Sequence, residues 1–335
     1  MRADLILTGG TICSFETDGT RRSDAGAART LLESRYFEDH PDSPLRFETQ
    51  MPLNRLSEDL TPDDWRVLLR AIAACDLPQS SGILIAHGTD TLEQTAAMLS
   101  AALCGIPVPV ILVSAMQPPT HPQTNAHVNF AAACALIGHG LSGGVWAVSR
   151  NTDGVTYLHS GAALRRCLHG SEDFFSDTMQ PAKAVIAAER TKKNSTRFVQ
   201  RALVCEKTVG LIYPFNGQRY DLLPLDGLAA VVHMTYHSET ANAREDSPYS
   251  VRTLLWRCKK CGIPLYLAPC SETAQTYGSA YDLVQAGAVP LHIPAPLAYG
   301  AVWVGTQYGL TGECLTAFVR ETAQRLAAQS FRCCI

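Results

Sequence analysis

Short apolar runs alternate along the chain with longer amphipathic ones. The runs at 5–8, 83–86, 108–113, 144–148, 210–213, 229–233 and 264–268 are rich in branched residues and predict strands. The stretches at 62–74, 92–104, 126–137, 250–261, 279–286 and 313–327 predict helices. Hydrophobicity within the strands is continuous rather than alternating. Strands of that kind are buried on both faces, as in parallel sheets covered by helices. The alternation of the two element types predicts βαβ units and an α/β fold. Between about 180 and 208 the pattern breaks at a polar, basic stretch, Glu189-Arg190-Thr191-Lys192-Lys193-Asn194-Ser195, where a domain boundary or linker is expected. There is no internal repeat and no low-complexity segment.

Composition narrows the classes. With 335 residues, 46% of them hydrophobic, the chain can bury a large core without disulfide or metal staples. A formal net charge of -3 supplies no basic excess for phosphates, so a nucleic-acid partner is not expected. Charged residues make up 18%, below the usual value of about 25%, which calls for either a large core or a surface that meets another subunit. The run Leu5-Ile6-Leu7 is shorter than a signal-peptide core, and the most apolar stretch, 103–115, is broken by Gly105, Pro107 and Pro109. The expectation is a cytoplasmic protein without membrane contact. The 12 cysteines are scattered as in a reducing compartment. Cys258-Lys259-Lys260-Cys261 ends a helical pattern, whereas a redox pair starts one, and no second pair completes a zinc set. Cys333 and Cys334 are expected as exposed thiols.

In parallel sheets, function concentrates in loops at the carboxyl ends of strands. Two such loops stand out. Thr8-Gly9-Gly10-Thr11-Ile12 follows the first strand, and its glycines allow a tight turn that presents the Thr11 hydroxyl. His87-Gly88-Thr89-Asp90-Thr91 follows the strand at 83–86 and sets a hydroxyl beside a carboxylate. Each taken singly also reads as a turn or a helix cap. Neither is a phosphate loop, since no GxGxxG or GxxxxGK[ST] pattern is present.

Together, the TGGTI at 8–12 and the HGTDT at 87–91 resemble the two signature motifs of the asparaginase/glutaminase family. Ser57-Glu58-Asp59-Leu60-Thr61-Pro62, before a helix bearing Trp65, resembles the family's substrate-binding segment. Ser114-Ala115-Met116-Gln117-Pro118 is similar to another family turn, and Tyr277-Gly278-Ser279 and Ala286-Gly287-Ala288 are similar to the smaller domain. The resemblance implies a larger N-terminal parallel-sheet domain of Rossmann or flavodoxin type over 1–182, a linker over 183–207 and a smaller C-terminal α/β domain over 208–335. It implies a homodimer or homotetramer that hydrolyses the side-chain amide of asparagine, or of glutamine, with no cofactor and no metal. By the same resemblance Thr11 is the nucleophile, and Thr89 and Asp90 activate a hydroxyl or water. Ser57 and Glu58 hold the α-carboxylate and α-amino groups of an amino-acid substrate. Gly10, Gly88 and Ala115 line its binding site, and backbone N–H groups near Thr11 and Thr89 supply the oxyanion hole.

The sequence departs from that pattern at named positions. Counted back from Phe175, Arg166 stands where the family carries a lysine; it can pair with Asp90 but cannot accept a proton. No tyrosine occurs between Cys13 and Arg35, where the family's active-site loop has one, and Tyr36 lies too far along to take its place. Gln117 replaces an arginine and Asn125 an aspartate. Two alternatives therefore stand beside an active asparaginase. One is a family member that binds an amino acid without turnover; the other is a glutaminase-type subunit feeding an amidotransferase. His87 reads as a strand-end histidine bonded locally. The family places the region of His237, Ser238 and Glu239 near a neighbouring subunit's site.

Overall fold

The first apolar run forms β1 (Arg2–Leu7), buried from its second residue onward. A hairpin follows, β2 (Ser14–Thr17) and β3 (Thr20–Ser23), then α1 (Ala25–Asp39) and β4 (Arg46–Gln50). Next come α2 (Pro62–Ala73), β5 (Ser80–Ala86), α3 (Leu92–Ala102), β6 (Pro109–Val113), α4 (Ala126–His139) and β7 (Gly144–Arg150). Then β8 (Thr156–Ser160), β9 (Gln180–Pro181) and α5 (Ala182–Ala187) follow. These come from a computed structural model that describes residues 1–188, 198, 201–271 and 277–332. The chain forms two compact units, Met1–Gln200 with Ala328–Ile335, and Arg201–Ala327.

The first unit carries a seven-stranded sheet in the order β4-β1-β5-β6-β7-β8-β9. The strands from β4 to β7 are parallel, as their continuous hydrophobicity predicts. At one edge, β8 pairs antiparallel with β7, and β9 with β8. For β7 and β8 the reason is the short connection through Asn151 and Gly154, where the Asn151 N–H donates to the Val155 carbonyl at 3.0 Å. A turn that tight permits only a hairpin, because a parallel return needs a crossover of a dozen or more residues. α2 begins at Pro62 behind a capping box in which the Asp64 carboxylate accepts the Thr61 N–H at 2.8 Å.

Strand order creates the crevice. From β1 the chain crosses to β4 on one side, and from β5 it crosses to β6 on the other. The connections leaving β1 and β5 therefore run to opposite sides of the strand order, which makes the carboxyl ends of these two strands a topological switch point, where α/β sheets bind ligands.

The second unit holds β10 (Thr208–Ile212), β11 (Leu228–Met234), α6 (Val251–Lys260), β12 (Leu265–Ala268), α7 (Gly278–Gln285), β13 (Val289–Pro290), α8 (Ala295–Gln307) and α9 (Gly312–Arg332) as far as Ala327. Its four strands are parallel in chain order, over a core of their own that includes Val231, Leu254, Leu267 and Leu283. Cys258 is buried in α6, and Cys261 caps its carboxyl end, away from the redox geometry. Cys333, Cys334 and the basic stretch at 189–195 lie outside the described residues. Among the described residues no helix is long and apolar enough to cross a membrane.

Candidate active site

The two glycine loops meet backbone to backbone. A Cβ on Gly10 would lie 2.3 Å from both the Cα and the N of Gly88, and Gly10 sits at φ 77°. Only glycine at both positions lets the chains approach so closely. The segment after β4 locks the first loop, since the Gly10 N–H donates to the Arg55 carbonyl at 2.8 Å and the Arg55 N–H to the Thr8 carbonyl at 3.0 Å. Ser57, two residues on, is 2% exposed and locks the second loop. Its Oγ accepts the Asp90 N–H at 3.2 Å, and its carbonyl accepts the Thr91 hydroxyl at 2.9 Å. Three loops of different strands are thus fastened into one floor.

Thr11 opens a short 3-10 turn, Thr11–Cys13, directly on this floor. Its side chain is half-buried, and neither it nor the Thr89 hydroxyl has a hydrogen-bond partner among the described residues. Thr89 and Asp90 line a cavity of about 500 Å³ together with Met116 and Arg166-Cys167-Leu168-His169-Gly170-Ser171. That volume suits a small ligand. The far wall is held from its base: Phe174 is fully buried, its N–H donates to Asn151 Oδ1 at 3.1 Å, and its carbonyl accepts Asn151 Nδ2 at 3.0 Å.

The expected residues distribute as follows. Thr89, Asp90 and Arg166 share the cavity wall; Gly10, Gly88 and Ser57 form the fastened loop floor, and neither they nor Thr11 are among the residues lining that cavity. Glu58 is exposed in the turn that begins at Ser57. Ala115 is buried, and its neighbour Met116 faces the cavity instead. Arg166 forms no ion pair with Asp90 within 4.0 Å, although both border the same space. The neighbouring Arg165 pairs with Asp177. Tyr36 belongs to the core, its hydroxyl 2.8 Å from Ser43 Oγ and its ring against Phe37, Phe47 and Phe130.

Two departures in the sequence turn out to be linked. The loop without a tyrosine is the β2–β3 hairpin, turned at Asp18 and Gly19 with φ of 52° and 71°. From it Arg21 donates to the Gln117 side-chain oxygen, so the amide at 117 takes a guanidinium from the hairpin. Asn125 also has work for its amide: Oδ1 accepts the Met116 N–H at 3.0 Å, and Nδ2 donates to the Arg150 carbonyl at 3.2 Å. An aspartate cannot make the second bond. Asn125→Asp is expected to cost about 1–2 kcal/mol, read as a lower denaturation midpoint.

Sequence reasoning passed over Glu93, the second residue of α3. It is 2% exposed, and its Oε2 is buried without a hydrogen-bond partner. Desolvation pushes its carboxyl up to about 7, against a downward pull from Arg166. The helix start reads Leu92-Glu93-Gln94-Thr95, where an acidic residue in the first turn is ordinary, so nothing in the sequence signals its burial. His87 is fully buried as a strand-end histidine, its Nδ1 2.7 Å from the Gly88 carbonyl, and burial holds it down at about 4. Burial does the same to His159 and, in the second unit, to His233.

These shifts set the pH dependence of stability. Between pH 4 and 6.5 the unfolded chain binds protons at His87, His159 and His233 that the folded chain refuses, so stability rises with pH. Glu93 acts oppositely: folded, it keeps a proton that the unfolded chain releases from 4.5 up to about 7. Three groups outweigh one, and the thermal midpoint is expected to peak near pH 6.5 and fall more steeply toward acid. A midpoint that is flat from pH 4 to 6.5 contradicts buried neutral histidines.

Residues 3–199 match the family model described as "Asparaginase, N-terminal". The chain belongs to the asparaginase family. Among similar proteins, a glutamyl-tRNA(Gln) amidotransferase subunit of Pyrobaculum aerophilum is 32% identical over 187 residues, 55% of this chain and 43% of that protein. L-asparaginase of Thermococcus kodakarensis is 32% identical over 143 residues, 43% of this chain and 42% of that one. The chain thus spans less than half the length of these relatives in each match. The solved structure of the thermostable L-asparaginase from Thermococcus kodakarensis superposes with a TM-score of 0.73 over 96% of this chain and 97% of that one, at 20% identity. L-asparaginase I from Vibrio cholerae gives 0.73 over 95% and 96%, also at 20%. At that identity the likeness establishes the asparaginase fold.

Proposed function

We propose that this chain is an asparaginase-type amidohydrolase that releases ammonia from the side-chain amide of L-asparagine, with L-glutamine as the second substrate. The observation that carries the reading is the Gly10–Gly88 contact. Thr11 follows Gly10 and the Thr89–Asp90 pair follows Gly88, so the contact supports reading them as parts of one site, with Thr89 and Asp90 lining a cavity sized for an amino acid. The Thr11 hydroxyl attacks the amide carbon, its proton leaves with ammonia, and water activated at Thr89 and Asp90 then releases the acid from the acyl-enzyme. The Gly10 and Asp90 N–H groups are already bonded to Arg55 and Ser57, so the N–H groups of Thr11 and Thr89 are the donors assigned to the oxyanion. Ser57 and Glu58 are assigned to the substrate's α-carboxylate and α-ammonium. No cofactor enters this reaction, and the low charged fraction fits a homo-oligomer.

Ammonia release from asparagine and glutamine by the purified protein is the test. Binding of aspartate with no ammonia from either amide leaves a binding protein instead. A second reading, favoured by the relatives whose names make them part of an amidotransferase, makes the ammonia pass to a partner chain. Glutamine-dependent activity that appears only in a co-purified complex selects it. Arg166 adds a further expectation. Arginine cannot lose its proton and lysine can, so Arg166→Lys is expected to retain or raise turnover. A folded but inactive Arg166→Lys rejects a purely electrostatic role for the guanidinium.

A further inference from the structure

The residues assigned to the substrate's own ends do not line the cavity. Ser57 and Glu58, for the α-carboxylate and α-ammonium, belong to the loop floor and its turn. The space of about 500 Å³ is bordered instead by Thr89, Asp90, Met116 and the segment from Arg166 to Ser171. In acyl transfer, the water that attacks the acyl-enzyme enters where the amine has departed. Thr89 and Asp90, assigned to that water, therefore mark the side on which the leaving group exits. Ammonia is about the size of a water molecule, whose share of liquid volume is roughly 30 Å³. A cavity of about 500 Å³ is far larger than ammonia release requires, and it is in the range of pockets that enclose small ligands.

The wall of that space carries a free cation. Arg166 makes no hydrogen bond or ion pair with a described residue, and neither does the ring of His169. His169 and Gly170 are the central residues of a turn in which the Ser171 N–H donates to the Leu168 carbonyl at 3.0 Å. The Asp173 N–H donates to Ser171 Oγ at 3.1 Å, while its carboxylate is taken up outside the cavity by the N–H and hydroxyl of Thr152 at 2.7 and 3.0 Å. Among the described residues that line the cavity, Asp90 is the one carboxylate and Arg166 the one permanent cation.

We propose that the cavity takes the leaving group of an N-substituted amide, a β-aspartyl or γ-glutamyl dipeptide whose leaving amine is itself an amino acid. Its carboxylate pairs with the Arg166 guanidinium, and its nitrogen lies beside Thr89 and Asp90. The proposal rests on the amidohydrolase reading and names a wider substrate class for it; asparagine uses the same machinery with the cavity unfilled. Thr11 Oγ bonds to the side-chain carbonyl carbon, the C–N bond breaks, and the Thr11 proton goes to the departing nitrogen. Water then splits the ester, restoring the Thr11 hydroxyl, and the proton of the new acid passes to the amine. Aspartate or glutamate and a zwitterionic amino acid leave, the new ammonium next to Asp90. An arginine suits this task where a lysine does not, because its planar fork grips a carboxylate with two parallel bonds.

The experiment offers the purified protein asparagine, β-aspartyl-glycine and β-aspartyl-glycinamide, and measures the ammonia, glycine or glycinamide released. The two dipeptides have the same length and differ in one carboxylate. The expected KM for β-aspartyl-glycine is about tenfold or more below that for the glycinamide. Arg166→Gln brings the two values together, and Arg166→Lys keeps part of the difference, because charge survives without the fork. Calorimetric binding of both dipeptides supplies the same ratio where a variant turns over too slowly to assay. Ammonia from asparagine with no glycine from β-aspartyl-glycine overturns the proposal and leaves the amidohydrolase reading standing. A ratio near one in the wild type, or one that Arg166→Gln leaves unmoved, also overturns it. A wild type that hydrolyses none of the three defeats the amidohydrolase reading. Binding then decides the cavity: a preference for β-aspartyl-glycine that Arg166→Gln abolishes supports the carboxylate site, and equal or absent binding overturns it.

Discussion

Gly10→Ala is expected to cost about 3 kcal/mol or more of stability and to empty the site of its function. Two penalties coincide there. At φ 77° an alanine sits in the left-handed region, worth about 1–2 kcal/mol for a residue with a Cβ. The new Cβ would also stand 2.3 Å from two backbone atoms of Gly88, and backbone cannot swing aside as a flexible side chain can. Gly19 separates the two effects. It has a similar φ of 71° with nothing within 4 Å of its Cβ position, so Gly19→Ala is expected to cost only the conformational part, about 1 kcal/mol. Urea denaturation of both variants makes the comparison. Equal losses at the two positions mean that the loops part easily, and the fastened floor beneath Thr11 is then a wrong description.

The strands that carry the site were legible because they are buried on both faces. Leu5, Ile6 and Leu7 have nowhere polar to point, and neither do Ile83, Leu84 and Ile85. Continuous hydrophobicity of that kind identifies a parallel sheet without reference to anything distant. α8 escaped for the same reason inverted: from Leu297 through Gln307 almost every residue is buried, so no polar face exists to create a helical period. α1 escaped because its apolar residues are sparse, although Asp24 caps it by accepting the Ala27 N–H at 2.9 Å. The Asp18-Gly19 pair is a strong hairpin signal within reach of a purely local reading.

At the site, the chemistry of single loops was readable and their partnerships were not. Two Gly-containing loops after strands stood out in the sequence, but the contact of Gly10 with Gly88 depends on the strand order, which brings β1 beside β5. The segment before Arg166 is tied by the Arg165 N–H donating to the Phe175 carbonyl at 2.9 Å, a partner ten positions on that a reading of the residues around Arg166 does not supply. The Arg21–Gln117 bond spans 96 positions. Glu93 has identity in the sequence but not burial, and burial is what makes its carboxyl unusual.

Thr11→Ala is expected to lower ammonia release by about 10³-fold or more while leaving the fold intact. The two halves of that statement come from different observations. The Thr11 side chain is half-buried and bonds to no described residue, so its removal should change stability by no more than about 0.5 kcal/mol. If its oxygen is the atom that forms the acyl-enzyme, its loss removes the covalent route, and the donors and cavity that remain provide only a residue of the rate. Thr8 supplies the contrast three positions earlier. It is 1% exposed and its hydroxyl donates to the Ala86 carbonyl at 2.8 Å, so Thr8→Ala should cost about 1 kcal/mol of stability and far less turnover. Thr11→Ser keeps a hydroxyl on Cβ, primary instead of secondary, and should keep most of the activity. A Thr11→Ala enzyme with near-normal kcat eliminates Thr11 as nucleophile and moves the search to Thr89, the other hydroxyl on the same floor. A loss shared by Thr11→Ser and Thr11→Ala, with aspartate still bound, means instead that the methyl group matters: it then packs the 3-10 turn against the loop floor, and the hydroxyl is incidental.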